Sequence, residues 1–505
     1  MLARLVPALA IAALAALLWL IFPFGFPNYD TIYMLVWGQE LAAGLDPDLG
    51  APLAPTPHPL AELFGLFTDP LGEGAVAATM VVAYLALGAV GYCVYRLGAL
   101  WFDRPIGLLA AAIVLTRAPF LSNGLRAYVD LPYLALVLAA LVIETRRPRA
   151  GWPVLALLAL AGLLRPEAWL FSAAYLAYLA LTPKPSLGPK RNAESRNGPK
   201  DGATGWGNKG WRLRWRGERG RRELIGLAAL AAAAPLGWAL FDWITAGDPL
   251  YSFTGTRDTV ETLERETGPL DVVLYGPRRL GEVLQWPGVV GAAGGVVLCL
   301  AFLRPRALLG VAVTALALLA FALLGSAGLA VIPRYTMLAA AILAVFCAAA
   351  LLGWRLLGGE HRWRGRWAAF AALVAAMFVI WGPDQYDLLD TVYSDLDDQS
   401  RVEDDLEELV DSGAFEPRCL PISVPNHRAV PRLAFQLGVR PSSVVSSTEQ
   451  RQPPRGYFLE PADDFAIEHF LLDPNDPARL EVEVPPGFER VAGNDSWLLY
   501  ARCEN

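Results

Sequence analysis

Charge is scarce in this 505-residue chain: Asp, Glu, Lys and Arg make up 18% of it, where soluble chains carry about a quarter. Apolar residues make up 55% and gather in long runs. That pattern excludes an ordinary soluble enzyme and indicates a polytopic membrane protein. Lysine is nearly absent, with Lys184, Lys190, Lys200 and Lys209 alone. Arg supplies the other basic side chains. With so much Ala and Gly, this reads as the coding bias of a GC-rich genome, so an Arg alone does not mark a chosen binding fork. No glycine-rich loop follows a strand, so a nucleotide-phosphate cradle has no sequence support. The acid-x-acid triplet Asp46–Asp48 matches a nucleotide-sugar pattern, but it is expected outside the cell, where such donors are scarce. The net charge of −7 averages two regions of opposite sign and says little alone.

A helix needs about 20 apolar residues to cross the hydrocarbon core. Runs near 5–25, 75–97, 105–121, 130–144, 152–164, 167–182, 224–244, 288–303, 307–325, 335–354 and 367–382 predict about eleven spans. The run from Trp152 to Leu164 is short and reads as a broken or incomplete span. The first run lacks a small-residue cleavage site and leads into Pro23, Phe24 and Phe26, so it is expected to be retained. Basic loops set the orientation. Arg146, Arg147 and Arg149 share one loop, 183–223 holds twelve Lys and Arg, and Arg355, Arg362, Arg364 and Arg366 crowd a third. The expected location is the plasma membrane, with the N-terminus in the cytoplasm. Segments 26–74, 117–129, 245–287, 326–334 and everything after 382 then lie outside. The loop 183–223 reads as disordered at first. Its end, WRLRWRGERGRR, suits anionic lipid far better than nucleic acid.

The fold class expected is therefore a polytopic α-helical membrane protein with a small C-terminal extracytoplasmic α/β domain. Residues 1–382 form the membrane domain and 383–505 the tail. The tail opens with an acidic amphipathic helix. Beyond it, 426–438 reads as helix, and strands are expected at 442–447, 455–460, 478–485, 488–493 and 496–503. Cys93, Cys299 and Cys347 lie in apolar runs and read as small hydrophobes. Cys419 and Cys503 are the tail's only pair and face an oxidising side, which predicts a disulfide; two buried free thiols are the alternative.

Several polar groups are expected on the one outer face. The first outer loop, about 50 residues, is long enough to suggest a function. It holds Asp30 and, stiffened by Pro55, Pro57 and Pro59, His58. Asp30 to Gly44 reads as a short helix with Asp30 as its cap and Gly44 as its end. Tyr33, Trp37 and Leu41 form a stripe suited to a membrane interface. Arg126 and Asp130, four apart, would share a helix face. Arg165 and Glu167 fall between apolar stretches, where charges are costly unless paired or facing a cavity. Arg257 and Arg334 join the same side. Each has an ordinary reading as a cap, an ion pair or an interface anchor; their convergence is the stronger signal.

With NYDTIYMLVWGQELAAGLDP after the first span, RAYVDLPY, LLRPEAWLF, GDPLYSFTGTR and IPRY in this order, the chain resembles the GT-C integral-membrane glycosyltransferases. These enzymes use polyprenyl-phosphate sugars, and the chain is similar to membrane proteins common in actinobacteria. The resemblance covers roughly three quarters of the chain. It implies transfer of a sugar to an acceptor glycan or glycolipid in the cell envelope, with inversion, Asp30 serving as general base. Arg334, Arg165 and His58 are the implied contacts to the donor phosphate. Asp130, Arg126 and Arg257 would orient substrate. Relatives often carry paired acids in the first loop; here Tyr29 precedes a single Asp30, which points away from a metal-dependent variant. No cofactor is expected, with a divalent cation left open. The expected partners are the lipid-linked sugar, the acceptor and membrane lipids, with no nucleic acid. A lipid or glycan transporter is the alternative, but no internal repeat is evident.

Overall fold

The computed structural model describes residues 2–181, 218–416, 419–471 and 483–503. Most of the expected basic loop 183–223, and most of the strand expected at 478–485, lie outside the described residues.

Every apolar run becomes a helix. These are Leu2–Ile21, Gly74–Trp101, Arg104–Leu115, Asp130–Arg146, Trp152–Gly162, Glu167–Leu181, Glu218–Ala246, Pro269–Phe302, Arg304–Ser326, Met337–Leu352 and Arg364–Ile380. Among the described residues, five helices or merged segments are individually long and apolar enough to cross a membrane, or up to seven if two bent pairs are each one span. All eleven expected runs are thus helical, while the helices long and apolar enough to cross number five to seven among the described residues. The short run behaves as its length implies: Trp152–Gly162 has 11 residues, and Pro166 separates it from the next helix. The segment expected as a loop over 245–287 is largely helical, with Tyr251–Thr262 and the first half of Pro269–Phe302 inside it. That longer helix breaks at Gln285, where φ is 59° just ahead of Pro287, and Arg117 Nη1 donates to Gln285 Oε1 at 2.8 Å. The proline ring disfavours an uninterrupted helix there.

The first long connection folds into two crossing helices, Tyr29–Ala42 and Pro59–Thr68. They touch at Gly38 and Gly65, where a Cβ on Gly38 would lie 2.3 Å from the Gly65 carbonyl carbon. The helix Tyr29–Ala42 ends as expected, with Gly44 in the left-handed region at φ 73°. The stripe of Tyr33 and Trp37 does not meet the membrane interface. Both side chains are fully buried in a core shared with the C-terminal tail, including Val402, Leu406, Ile422 and Leu459.

The tail begins with the acidic helix Gly382–Asp411, whose apolar side buries Leu396, Val402, Leu406 and Leu409. Five strands follow: β1 (Ile422–Val424), β2 (Val444–Ser446), β3 (Gly456–Pro461), β4 (Glu489–Gly493) and β5 (Trp497–Arg502). Their order is β2-β1-β3-β5-β4. β1 runs parallel to β2 and β3, and β5 runs antiparallel to β3 and β4. The connection from β1 to β2 passes through the helix Val430–Leu437. β1 was not expected, because Pro421 and Pro425 leave it only three residues long. The disulfide Cys419–Cys503 is present, its Cα atoms 5.3 Å apart, and ties the approach to β1 to the end of β5. The triplet Asp46–Asp48 joins the first connection to the tail. Asp48 Oδ2 accepts from the Ser442 main chain at 2.8 Å, and Arg440 donates to the Asp46 carbonyl at 3.1 Å.

Candidate active site

The helix ends converge on a cavity of about 1540 Å³. Its polar end is built by residues at the starts and breaks of helices, where the chain can turn a side chain inward without interrupting a hydrogen-bonded run.

Asp30 comes from the first turn of Tyr29–Ala42, but it is not the cap. Asn28 is: its Oδ1 accepts from the main-chain N–H groups of Asp30 (2.8 Å) and Thr31 (3.3 Å). The extended backbone of Asn28 puts its short side chain within reach of those otherwise unpaired donors. Asn28 also pins the turn 126–127. Its Nδ2 donates to the Arg126 carbonyl at 2.7 Å, and Thr31 Oγ1 donates to the Ala127 carbonyl at 2.9 Å. The carboxylate of Asp30 faces the cavity with its Oδ2 3.5 Å from Arg334 Nη1. Arg334 comes from the turn Pro333–Thr336 at the head of Met337–Leu352. Its guanidinium lies 5.6 Å from the Tyr128 ring centre and 5.7 Å from that of Tyr335.

Arg165 lies in the break before Glu167–Leu181 and is almost fully buried. It is paired with Asp130 and with Glu167, whose Oε1 is 2.9 Å from Nη2. Tyr335 covers it at 4.5 Å. The requirement that charges at this depth be paired is met, and Arg165 is the more heavily neutralised of the two arginines. His58 precedes Pro59–Thr68, and its ring meets Trp238 edge to face at 5.7 Å. Burial pushes its pKa down to about 3, and the charges of Arg165 and Arg334 push the same way. His58 is therefore neutral near pH 7 and can offer an N–H, not a positive charge.

Two expected orienting residues, Arg126 and Arg257, do not line this cavity, whereas Asp130 does. Arg126 and Asp130 do not share a helix face: Arg126 ends the helix Ala118–Leu125, Ala127 has φ 51°, and Asp130 starts the next helix. Arg126 donates to Ser122 and to Gln399 Oε1, the latter at 3.0 Å, while Asp130 pairs with Arg165. Arg257, on Tyr251–Thr262, lies 5.8 Å from the Phe253 ring centre and packs against Gly328.

Beyond the polar end, the cavity wall is largely apolar, with Pro235, Trp238, Phe253, Val260, Leu324 and Leu329. A charged group of Glu266, Arg278, Arg279 and Glu282 also lines it, Arg279 pairing with Glu266 and Glu282 at 3.1 Å each. Sequence reasoning missed Tyr128, His427 and Arg428, which also line the cavity. Tyr128 lay within the quoted RAYVDLPY; the two tail residues carried no signal. Among the described residues, no group of three or more His, Cys, Asp or Glu side chains is placed to hold a metal ion.

A body of apolar helices, a long folded first connection and a small α/β tail together frame the cavity. Two crystal structures share this fold over nearly the whole chain: ArnT from Cupriavidus metallidurans bound to undecaprenyl phosphate, with a TM-score of 0.53, and the same protein in the apo state, with 0.51. Each comparison covers 98% of this chain and 97% of the other at 13% identity, so the likeness is one of fold. No protein-family profile and no curated protein matches the chain.

Proposed function

We propose that this membrane protein transfers a sugar from a polyprenyl-phosphate donor to a hydroxyl of an acceptor glycan or glycolipid at the outer membrane face. The contact between Asp30 and Arg334 carries the reading. It sets a carboxylate and a cation 3.5 Å apart at the polar end of a cavity whose farther wall is largely apolar. An amphiphile with an anionic head suits such a cavity, and a protein of the same fold binds undecaprenyl phosphate.

In this reading the polyprenyl chain lies along the Trp238 and Leu329 wall, and its phosphate meets Arg334. The neutral His58 ring can add one N–H. Arg165, tied to Asp130 and Glu167, acts from behind through its field and holds the Tyr335 face. The acceptor oxygen attacks the anomeric carbon as the bond to the phosphate oxygen breaks. The phosphate leaves with the electron pair, and Asp30 takes the acceptor proton. Lipid phosphate is a good leaving group, so a single carboxylate suffices and the anomeric centre inverts. Cationic donors matter because charge builds on the departing phosphate. The reaction so written uses no cofactor.

The test is transfer from labelled polyprenyl-phosphate sugars by purified protein, wild type against Asp30→Asn. The expected outcome is a rate loss of at least about 100-fold with donor binding retained. Full activity in the variant removes Asp30 as the base. Lipid movement without any transfer supports a transporter instead.

A further inference from the structure

The tail touches the cavity through one turn, and that turn sits where parallel sheets bind ligands. From β1 the chain passes to β2 on one side, then returns to β3 on the other. Such a reversal opens a crevice at the carboxyl ends of the strands. Asn426, His427 and Arg428 lie just past the end of β1, and Glu449 just past the end of β2. The two loops are stitched together: Ser447 N–H donates to the Val424 carbonyl at 2.9 Å and Thr448 N–H to that of Pro425 at 3.1 Å. Asn426 fixes the turn by donating to the Leu471 carbonyl at 2.8 Å and accepting from the Arg428 main chain at 3.1 Å.

His427 is 3.1 Å from Glu449 through Nδ1. Burial raises the Glu449 pKa, but its hydrogen bonds to His427 and Ser446 outweigh that and hold it below the usual value, so Glu449 is a carboxylate at neutral pH. A carboxylate only accepts, so Nδ1 is the donor in this contact, and Nε2 is the ring nitrogen left to meet a hydroxyl. The contacts also give an order along the polar end. Trp238 of the apolar wall meets His58, and the fields of Arg165 and Arg334 act on His58. Arg334 reaches Asp30, and the His427 ring meets Tyr29 at 5.4 Å. The apolar wall and the tail's basic turn therefore lie at opposite ends of this row.

We propose that this carboxyl edge of the tail is the acceptor subsite: His427, oriented by Glu449, and Arg428 bind a hydroxylated acceptor and present it to Asp30. The inference rests on the transferase reading above, with the donor lipid occupying the other end of the row. Arg428 supplies N–H donors for hydroxyl oxygens, and Nε2 of His427 hydrogen-bonds a further hydroxyl.

The experiment measures transfer from labelled undecaprenyl- and decaprenyl-phosphate sugars to octyl glycosides and to total membrane glycolipid. It compares wild type, His427→Ala and Glu449→Gln. The expected result is an acceptor KM raised about 10-fold in His427→Ala, the worth of one lost hydrogen bond, and raised less in Glu449→Gln. Donor KM and undecaprenyl phosphate binding should stay within about twofold in both. An unchanged acceptor KM in both variants, or donor and acceptor KM rising together, overturns the acceptor subsite and leaves the transferase reading standing. Glu449→Gln preserves side-chain shape and reads the same prediction where His427→Ala fails to fold. Absence of transfer by the wild type from every donor overturns the transferase reading and this inference with it.

Discussion

Glu62 gives the sharpest quantitative test of the packing behind the cavity. It lies on Pro59–Thr68 with 0% exposure, and neither carboxyl oxygen has a hydrogen-bond partner among the described residues. Burial pushes its pKa up from 4.5 to about 8, outweighing the lowering effect of the nearby His58 main chain, and the Asp242 charge adds to the rise. A pKa raised on folding gives stability that is full below the unfolded value and lost as pH rises through the folded one. Between pH 4.5 and pH 7 the loss is ~3 kcal/mol, at 1.36 kcal/mol per pH unit, and it levels off at ~5 kcal/mol above pH 8. Glu62→Gln stays neutral throughout. Thermal unfolding of detergent-purified protein should therefore show the variant close to wild type at pH 4 and gaining on it steadily up to pH 8. A stability difference that is flat from pH 4 to pH 9 refutes the assignment of a buried carboxyl with a raised pKa at this position.

Four further outcomes follow from the contacts. Arg334→Gln should weaken undecaprenyl phosphate binding by about 10-fold or more. Arg165→Gln should act mainly on stability, because Asp130 and Glu167 would lose their buried partner; binding isotherms beside melting curves separate the two effects. Gly38→Ala should destabilise by ~2 kcal/mol, since its Cβ would meet the main chain of Gly65 at the crossing of the first-connection helices. A Tm unchanged within error counts against so close a crossing. Cys419→Ser should cost ~4 kcal/mol by releasing a closed loop of 84 residues. Chemical denaturation under oxidising and reducing conditions reads this directly, and the variant should lose its sensitivity to reductant.

Much of the local structure was legible. The apolar runs became helices because length and hydrophobicity need no tertiary help to be read. Gly44 ended its helix because only a residue at ease with positive φ suits that position. The pairing of Cys419 with Cys503 followed from parity and compartment. Arg165 and Glu167 were recognisable as costly charges, although Asp130 as the second partner of Arg165 was not. Other assignments failed because a neighbour in space competed with a neighbour in sequence. Asn28 took the cap from Asp30 while tying itself to Arg126 and Thr31. Trp37 turned inward because the tail covers the first connection, where its indole donates to the Asp48 carbonyl at 3.0 Å.

The sequence by itself determined the class: scarce charge and long apolar runs require a helical membrane protein, and each run carries its own evidence. It also supplied Asp30, His58, Arg165 and Arg334, whose convergence was inferred from a shared side. Only the tertiary structure decided what surrounds each of them. Arg165 became neutralised, His58 lost its charge, Arg126 and Arg257 left the cavity, and Arg428 entered it from residues far along the chain. Pairing and desolvation depend on distances of a few ångströms between segments that are remote in sequence, and no spacing along one chain encodes those distances.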